Sequence, residues 1–282
     1  MFFAQLTNEL WKLFGKKRTY IGFGAFVLVQ AAMLIIFRYT HWQSHFQEML
    51  ANNGYLASEY ISALTVALVM VSPQALLLMP LYVALVGGDL VAKEVEDGTM
   101  RMILSRPISR VRLLSVKWLG GIIFAAVLVL ALGAAALVAA RILFPWKGLF
   151  VLGHLPSGSP MFGIFPAAQG LVLYSLSHLF MVTNAVTMLS IAFMFSSFNM
   201  KPAAATILAL SYLFMNMVMQ HIPFFEPYQN WFITHHFEAW FLIFQNPAPW
   251  PQIIQSEITL AAISTTAFIA GATGFQMRDI KS

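Results

Sequence analysis

Residues 88–117 read GDLVAKEVEDGTMRMILSRPISRVRLLSVK, a polar island between two long apolar runs that holds 10 of the chain's 27 charged residues in 30 positions. The runs on either side, 61–86 and 118–140, contain no Asp, Glu, Lys or Arg. Each is long enough to cross a hydrocarbon core of about 30 Å as a helix, for which about 20 mostly apolar residues suffice. A helix is also the open-ended structure that satisfies its own backbone there. The island is therefore an aqueous connection between two membrane spans, a place where something outside the membrane can grip them.

Working outward, 20–37, 171–195, 203–219 and 258–275 are further apolar stretches free of charge. Hydrophobic residues make up 59 % of the 282 and charged ones 10 %, against about 45–50 % and 25 % in soluble domains. The expected fold is an all-α integral membrane protein with six transmembrane helices, a single transmembrane domain over 1–282. Six spans put both termini on one side. That side carries 13 Lys and Arg, four of them before the first span, six in the island, then Lys201, Arg278 and Lys281; the other side has Arg38, Arg141 and Lys147. The positive-inside rule places both termini and the island in the cytoplasm, with the chain in the inner (plasma) membrane. The net charge of +5 is thereby explained by orientation, and no nucleic-acid partner is expected. The first apolar run is too long for an h-region and lacks a following cleavage-like site, so it reads as a retained span.

In 1–19, Phe2, Phe3, Leu6, Leu10, Leu13 and Phe14 recur at helical spacing, with Gln5, Asn8, Glu9 and Lys12 between them and Lys16, Lys17 and Arg18 following. This predicts an amphipathic helix on the membrane surface, with Phe3, Leu6, Leu10 and Phe14 facing the membrane. Pro73 and Pro80 predict a bend in the second span. Small residues of the third span, Ala125 to Ala136, allow another helix to approach closely. Residues 148–170 are uncharged with five glycines and three prolines, which predicts an external loop. Residues 221–255 carry no Lys or Arg and combine ten aromatics with five prolines. They read as a broken external segment of short helices at headgroup level.

The chemistry left open is narrow. No cysteine is present, so thiolate metal sites and thiol nucleophiles are excluded. A phosphate-binding loop needs G-x-x-x-x-G-K-[ST], and none exists, so ATP hydrolysis must belong to another polypeptide. Among the apolar runs His178 is the one ionisable group, with Gln30, Gln74, Asn184 and Asn216 also polar; it reads as a packing residue rather than a proton relay. Met215, Met217, Met219 and His221, and the group His235, His236 and Glu238, could ligate copper or zinc. Met217 points away from Met215 and Met219 on a helix, and methionine is common core filler, so no metal site is assigned.

Within the island, Gly98 permits a turn and Thr99 can cap a short helix, 99–105, ending at Pro107; Ser109 can cap the helix that enters the third span. Met100, Ile103 and Leu104 are expected on a face exposed to water, where a bare linker has no need of them. A docking element for a cytosolic partner explains them.

At these residues the chain resembles the permease subunits of type-2 ATP-binding-cassette exporters. The resemblance rests on Glu94, Glu96, Gly98, Thr99, Leu104, Ser105, Pro107, Ser109, Arg110 and Lys117, with a terminal Phe275, Arg278 and Asp279. It implies a six-helix half-transporter paired with a second permease half, as homodimer or heterodimer. It also implies a separate cytosolic ATPase, two copies expected, holding the ATP and Mg, with no cofactor on this chain. The cytoplasmic coupling loop 88–117 would contain a coupling helix seated on the ATPase, with Glu94, Glu96, Gly98, Thr99, Met100, Ile103, Leu104, Arg106, Pro107 and Arg110 as coupling residues and Glu94 near the ATPase. The uncharged, aromatic interior suits a hydrophobic or amphipathic substrate. Three alternatives are a non-transporting scaffold subunit with the same helix, a permease linked to copper maturation, and a membrane enzyme built on His178 or the His235, His236 and Glu238 group.

Overall fold

The computed structural model describes residues 2–40, 42–52, 54, 61–105, 108–154 and 160–277. The protein is a helical bundle. A short helix, α1 (Phe2–Phe14), leads into α2 (Lys17–Tyr39) and then α3 (Trp42–Asn52). The second span is α4 (Ala63–Pro73), a π-helical turn Gln74–Leu78, and α5 (Met79–Glu96). Next come α6 (Thr99–Leu104) and α7 (Arg110–Leu143), then strands β1 (Leu149–His154) and β2 (Pro160–Phe165). Helices α8 (Ala167–Ser197) and α9 (Pro202–Gln220) precede a 3-10 helix, Pro223–Trp231. Two single turns, α10 (Ile233–His236) and α11 (Ala239–Leu242), lead to the last long helix, α12 (Trp250–Gln276).

Among the described residues, six helical stretches have the length and apolarity of membrane spans: α2, α4 to α5, α7, α8, α9 and α12. They coincide with the six expected from sequence. At about 1.5 Å per residue, the second and third spans, 34 residues each, are about 50 Å long and overreach the apolar layer. Helix α8 is the hub, packing on α5, α12, α7 and α9. Its apolar window is 61 % buried, against 22 % for α2 and α9, which form the flanks.

Three local features go beyond the sequence expectation. The interruption of the second span is a π turn, in which the Met79 N–H bonds to the Gln74 carbonyl five residues back. The Gln74 N–H turns to Val71, and the Gln74 side-chain amide bonds to the Met70 carbonyl in its place (3.2 Å). Within the stretch expected to be an external loop, Leu149–His154 and Pro160–Phe165 pair as antiparallel strands, Leu149 with Phe165 and Val151 with Gly163. Met161, Gly163 and Phe165 face inward while Phe162 faces out, the period-two pattern of a half-buried strand. The aromatic segment divides in two. Phe224, Tyr228 and Trp231 are exposed, whereas Phe232, Phe237, Trp240 and Phe244 are buried in the bundle.

The end of the bundle that holds α1, α6 and the close of α12 is called proximal below, and the end with the hairpin and aromatic segment distal.

Candidate functional site

Helix α6 is set by its ends. Asp97 and Gly98 close α5 with hydrogen bonds to the Lys93 and Val95 carbonyls (2.9 and 3.1 Å). Gly98 has φ of 73°, the left-handed conformation that glycine adopts without penalty. Gly98 rather than Thr99 thus occupies the N-cap position of α6. The Thr99 hydroxyl donates back to the Glu94 carbonyl (3.2 Å). Ser109 caps α7 as expected, accepting from the Arg112 N–H (3.3 Å).

This reversal decides which face of α6 meets water, and the expected assignment is corrected. Met100 is 1 % exposed, inside the core, and Ile103 one turn on is half-buried. Residues three apart share a helix face, so this apolar stripe turns toward the bundle. The outward face carries Arg101, Met102, which is 66 % exposed, and Ser105. The Leu104 side chain and all of Arg106, Pro107, Arg278 and Asp279 lie outside the described residues. Glu96 is exposed and holds Lys93 (2.8 Å).

Above α6 sits a buried charge cluster. Lys117 on α7 is 1 % exposed and lies 2.7 Å from Glu94 on α5 and 3.0 Å from Glu9 on α1. Lys12 pairs with the same Glu94 carboxylate. Glu94 therefore faces inward and is not offered to a partner below. Burial, then the Lys117 ammonium, draws Lys12 down to about 8 while Glu9 opposes. Arg18 pairs with Asp89, and Arg112 donates to Gln5 (3.1 Å). Arg110 donates to the carbonyls of Phe275 and Gln276 (3.3 and 3.1 Å). It thus caps the C-terminal end of α12, a favourable place for a cation.

The sequence reading placed Glu94 and Lys117 in the coupling motif but gave Glu9, Lys12, Arg18 and Asp89 no part in a site. The available signal was Glu9, which shares a helix face with Leu6 and Leu13, so that a carboxylate lies among the residues meant for burial. Of the residues assigned to the membrane surface, Phe3 is exposed, Leu6, Leu10 and Phe14 are half-buried, and the Phe14 ring packs against Phe124 of α7.

Among the described residues, two large cavities flank the second span. A proximal one of about 730 Å³ lies under α1 and α2, with charged walls below and Ile21, Tyr82, Leu85 and Val86 above. A distal one of about 860 Å³ is walled by Ala75, Leu76 and Leu77 of the π turn, by α9 and by the aromatic segment. Its polar groups include Asn184 and the pair Gln220 and Glu238 (2.7 Å).

His178 sits outside both. Its Nδ1 is 2.7 Å from the Tyr174 carbonyl, and the ring fills the notch left by Gly133, where an added Cβ would come within 2.3 Å of Nε2. His236 lies between Ser256 and the Asn230 carbonyl, and burial draws both His235 and His236 below the usual histidine value. Among the described residues, no three His, Cys, Asp or Glu side chains are grouped to hold a metal.

The chain matches the family model described as ABC-2 family transporter protein over residues 11–230, a stretch that includes α5, α6, α7 and the proximal charge cluster apart from Glu9. No curated protein matches it. With most of its length covered, the six spans in place and the short helix held between the second and third, this chain belongs to the ABC-2 family of transporter membrane proteins.

Proposed function

We propose that the chain is the permease half of an ATP-driven exporter in the inner (plasma) membrane, with both termini and the proximal end in the cytoplasm. ABC-2 permeases are transport subunits and are not themselves the ATPase. In this reading a cytosolic ATPase, in two copies and carrying ATP and Mg, docks on α6, and a second permease half completes the complex. The substrate is hydrophobic or amphipathic and leaves from the cytoplasm or inner leaflet; the largely apolar walls of the distal cavity suit such a molecule.

The observation that carries the reading is the attachment of α6. Its inner face is buried through Met100, and Glu94 and Lys117 join the flanking helices directly above it. A partner that moves the outer face of α6 must then move the second and third spans with it. ATP binding favours the closed ATPase dimer, and the docked helix passes that preference on as a shift in permease populations.

Affinity purification of the tagged chain from its own cells in mild detergent tests this. A stoichiometric nucleotide-binding ATPase is expected with the parent chain and lost with Met102→Glu, a charge placed on the outward face. A parent chain that brings no ATPase, or a variant that keeps it, overturns the docking assignment.

A further inference from the structure

The four carboxylates that line the proximal cavity already have cationic partners. Glu9 holds Lys117, Asp89 holds Arg18, Glu94 holds Lys117 and Lys12, and Asp97 holds Lys93. Lys16 and Lys17 also line the cavity, and among the described residues neither has a carboxylate within ion-pair distance. Two ammoniums without an ion-pair partner among the described residues therefore face one half-enclosed space. Burial, and Arg18 beside it, pull the Lys16 ammonium below the usual lysine value while Asp89 and Glu9 oppose; an anion in the cavity would relieve the remaining penalty.

The cavity changes character along its depth. Lys16 and Lys17 sit where α2 begins, at the mouth, and the wall then runs up through Ile21, Tyr82, Leu85 and Val86. Basic residues just outside a membrane helix lie at headgroup level, where each is worth a distinct increment of affinity for anionic lipid. A volume of about 730 Å³ is ample for a headgroup and the start of a chain, since small-molecule sites span about 300–1,000 Å³. A free anion would answer the lysines but leave the apolar wall uncovered. A soluble acidic peptide would have to carry its backbone into the membrane to reach it.

We propose that this cavity binds one anionic phospholipid, its phosphodiester between the Lys16 and Lys17 ammoniums and an acyl chain against Ile21, Tyr82, Leu85 and Val86. The assignment does not depend on the transport reading, because lipid is retained or lost whether or not an ATPase accompanies the chain.

The test is native mass spectrometry of the full chain in mild detergent, titrated with phosphatidylglycerol or with phosphatidylcholine of the same acyl chains. Inorganic phosphate serves as competitor. Phosphatidylglycerol is expected to bind one per chain in preference to phosphatidylcholine and to resist displacement by phosphate. Lys16→Gln with Lys17→Gln is expected to weaken it about thirty-fold, two factors of about five, while Lys201→Gln, outside the cavity, leaves it intact. Leu85→Trp, which fills the apolar part, weakens the lipid while both lysines remain, and a monodisperse gel-filtration peak confirms that each variant is folded. Equal binding of the two lipids, or a double variant that binds like the parent, overturns the site. Full displacement by phosphate reduces it to an anion site and overturns the lipid assignment. A double variant that keeps lipid but loses the ATPase reassigns the lysines to partner docking and overturns it too.

Discussion

Replacing Lys117 by methionine removes a buried cation while keeping a side chain of similar length. In the native protein its ammonium lies 2.7 Å from Glu94 and 3.0 Å from Glu9. At an effective dielectric of about 20, each contact is worth roughly 6 kcal/mol of Coulomb attraction. Most of that is offset by the several kcal/mol needed to strip each ion of water. The net worth of the cluster is thus small, but the cost of breaking it is not. Without Lys117, Glu94 keeps Lys12, and Glu9 is left against α7 with no cation in its place. Removing one partner of a buried pair costs about 3–5 kcal/mol, which for a domain of this size corresponds to a fall in melting temperature of about 10 °C. The assay is thermal unfolding in detergent by fluorescence-detected gel filtration, with hydrogen exchange of the α1 amides as the local readout. Lys117→Met should melt early and expose α1. Adding Glu94→Gln should restore part of the loss, because the remaining Glu9 and Lys12 balance. A single variant that melts with the parent, or a double variant no better than the single, would refute the claim that these charges act as one buried unit.

Three further outcomes follow from separate contacts. Met100→Glu buries a carboxylate at a core position and should lower the yield of folded chain, whereas Met102→Glu should fold normally; equal behaviour of the two would mean that α6 faces otherwise. Gly87→Ala puts a Cβ 2.5 Å from the Leu189 carbonyl oxygen, an overpacking that costs about 1–3 kcal/mol, and an unchanged melting temperature would show that α5 and α8 do not cross so closely. Lys12 releases its proton near 8 in the folded chain against 10.5 for an ordinary lysine. Between those values the unfolded chain holds more protons, so Lys12 makes stability rise with pH across that window. The melting difference between parent and Lys12→Gln should grow in the parent's favour from pH 8 upward, and a flat difference would contradict it.

The six spans were legible because membrane crossing imposes one requirement, length without charge, that a sequence displays directly. The position of α6 was legible for a similar reason: Gly98 and Ser109 are local signals, and each acts within a few residues of itself. Orientation was not. Which side of α6 turns inward depends on the chain reversal at Gly98 and on the bundle above it, so the stripe Met100 and Ile103, apolar and correctly grouped, was assigned to the wrong medium. The charge cluster escaped for the same reason at longer range. Glu9 and Lys117 are 108 residues apart, and nothing local marks them as partners. The hairpin was hidden because Gly153 and Gly163 stand where larger residues would have displayed its alternation.

The proximal and distal ends of the second span differ in how freely they can respond to a load on α6. Proximally, α5 is tied to α7 and α1 through Glu94. It is also tied to α8, where the Ser196 hydroxyl donates to the Gly88 carbonyl (2.6 Å) and accepts from the N–H groups of Val91 and Ala92 (3.1 and 2.9 Å). These bonds and the close crossing at Gly87 make the lower part of α5 move with its neighbours or not at all. Above them the next irregularity in the backbone is the π turn, where the regular i to i−4 ladder is already broken and a change of direction disturbs fewest hydrogen bonds. Ala75, Leu76 and Leu77 of that turn line the distal cavity. On the proposed reading, a displacement imposed at α6 therefore travels up a stiff segment and is taken up at the cavity wall, about 30 Å away along a helix that rises 1.5 Å per residue. The coupling needs no pathway of side chains beyond one rigid element with a single weak joint.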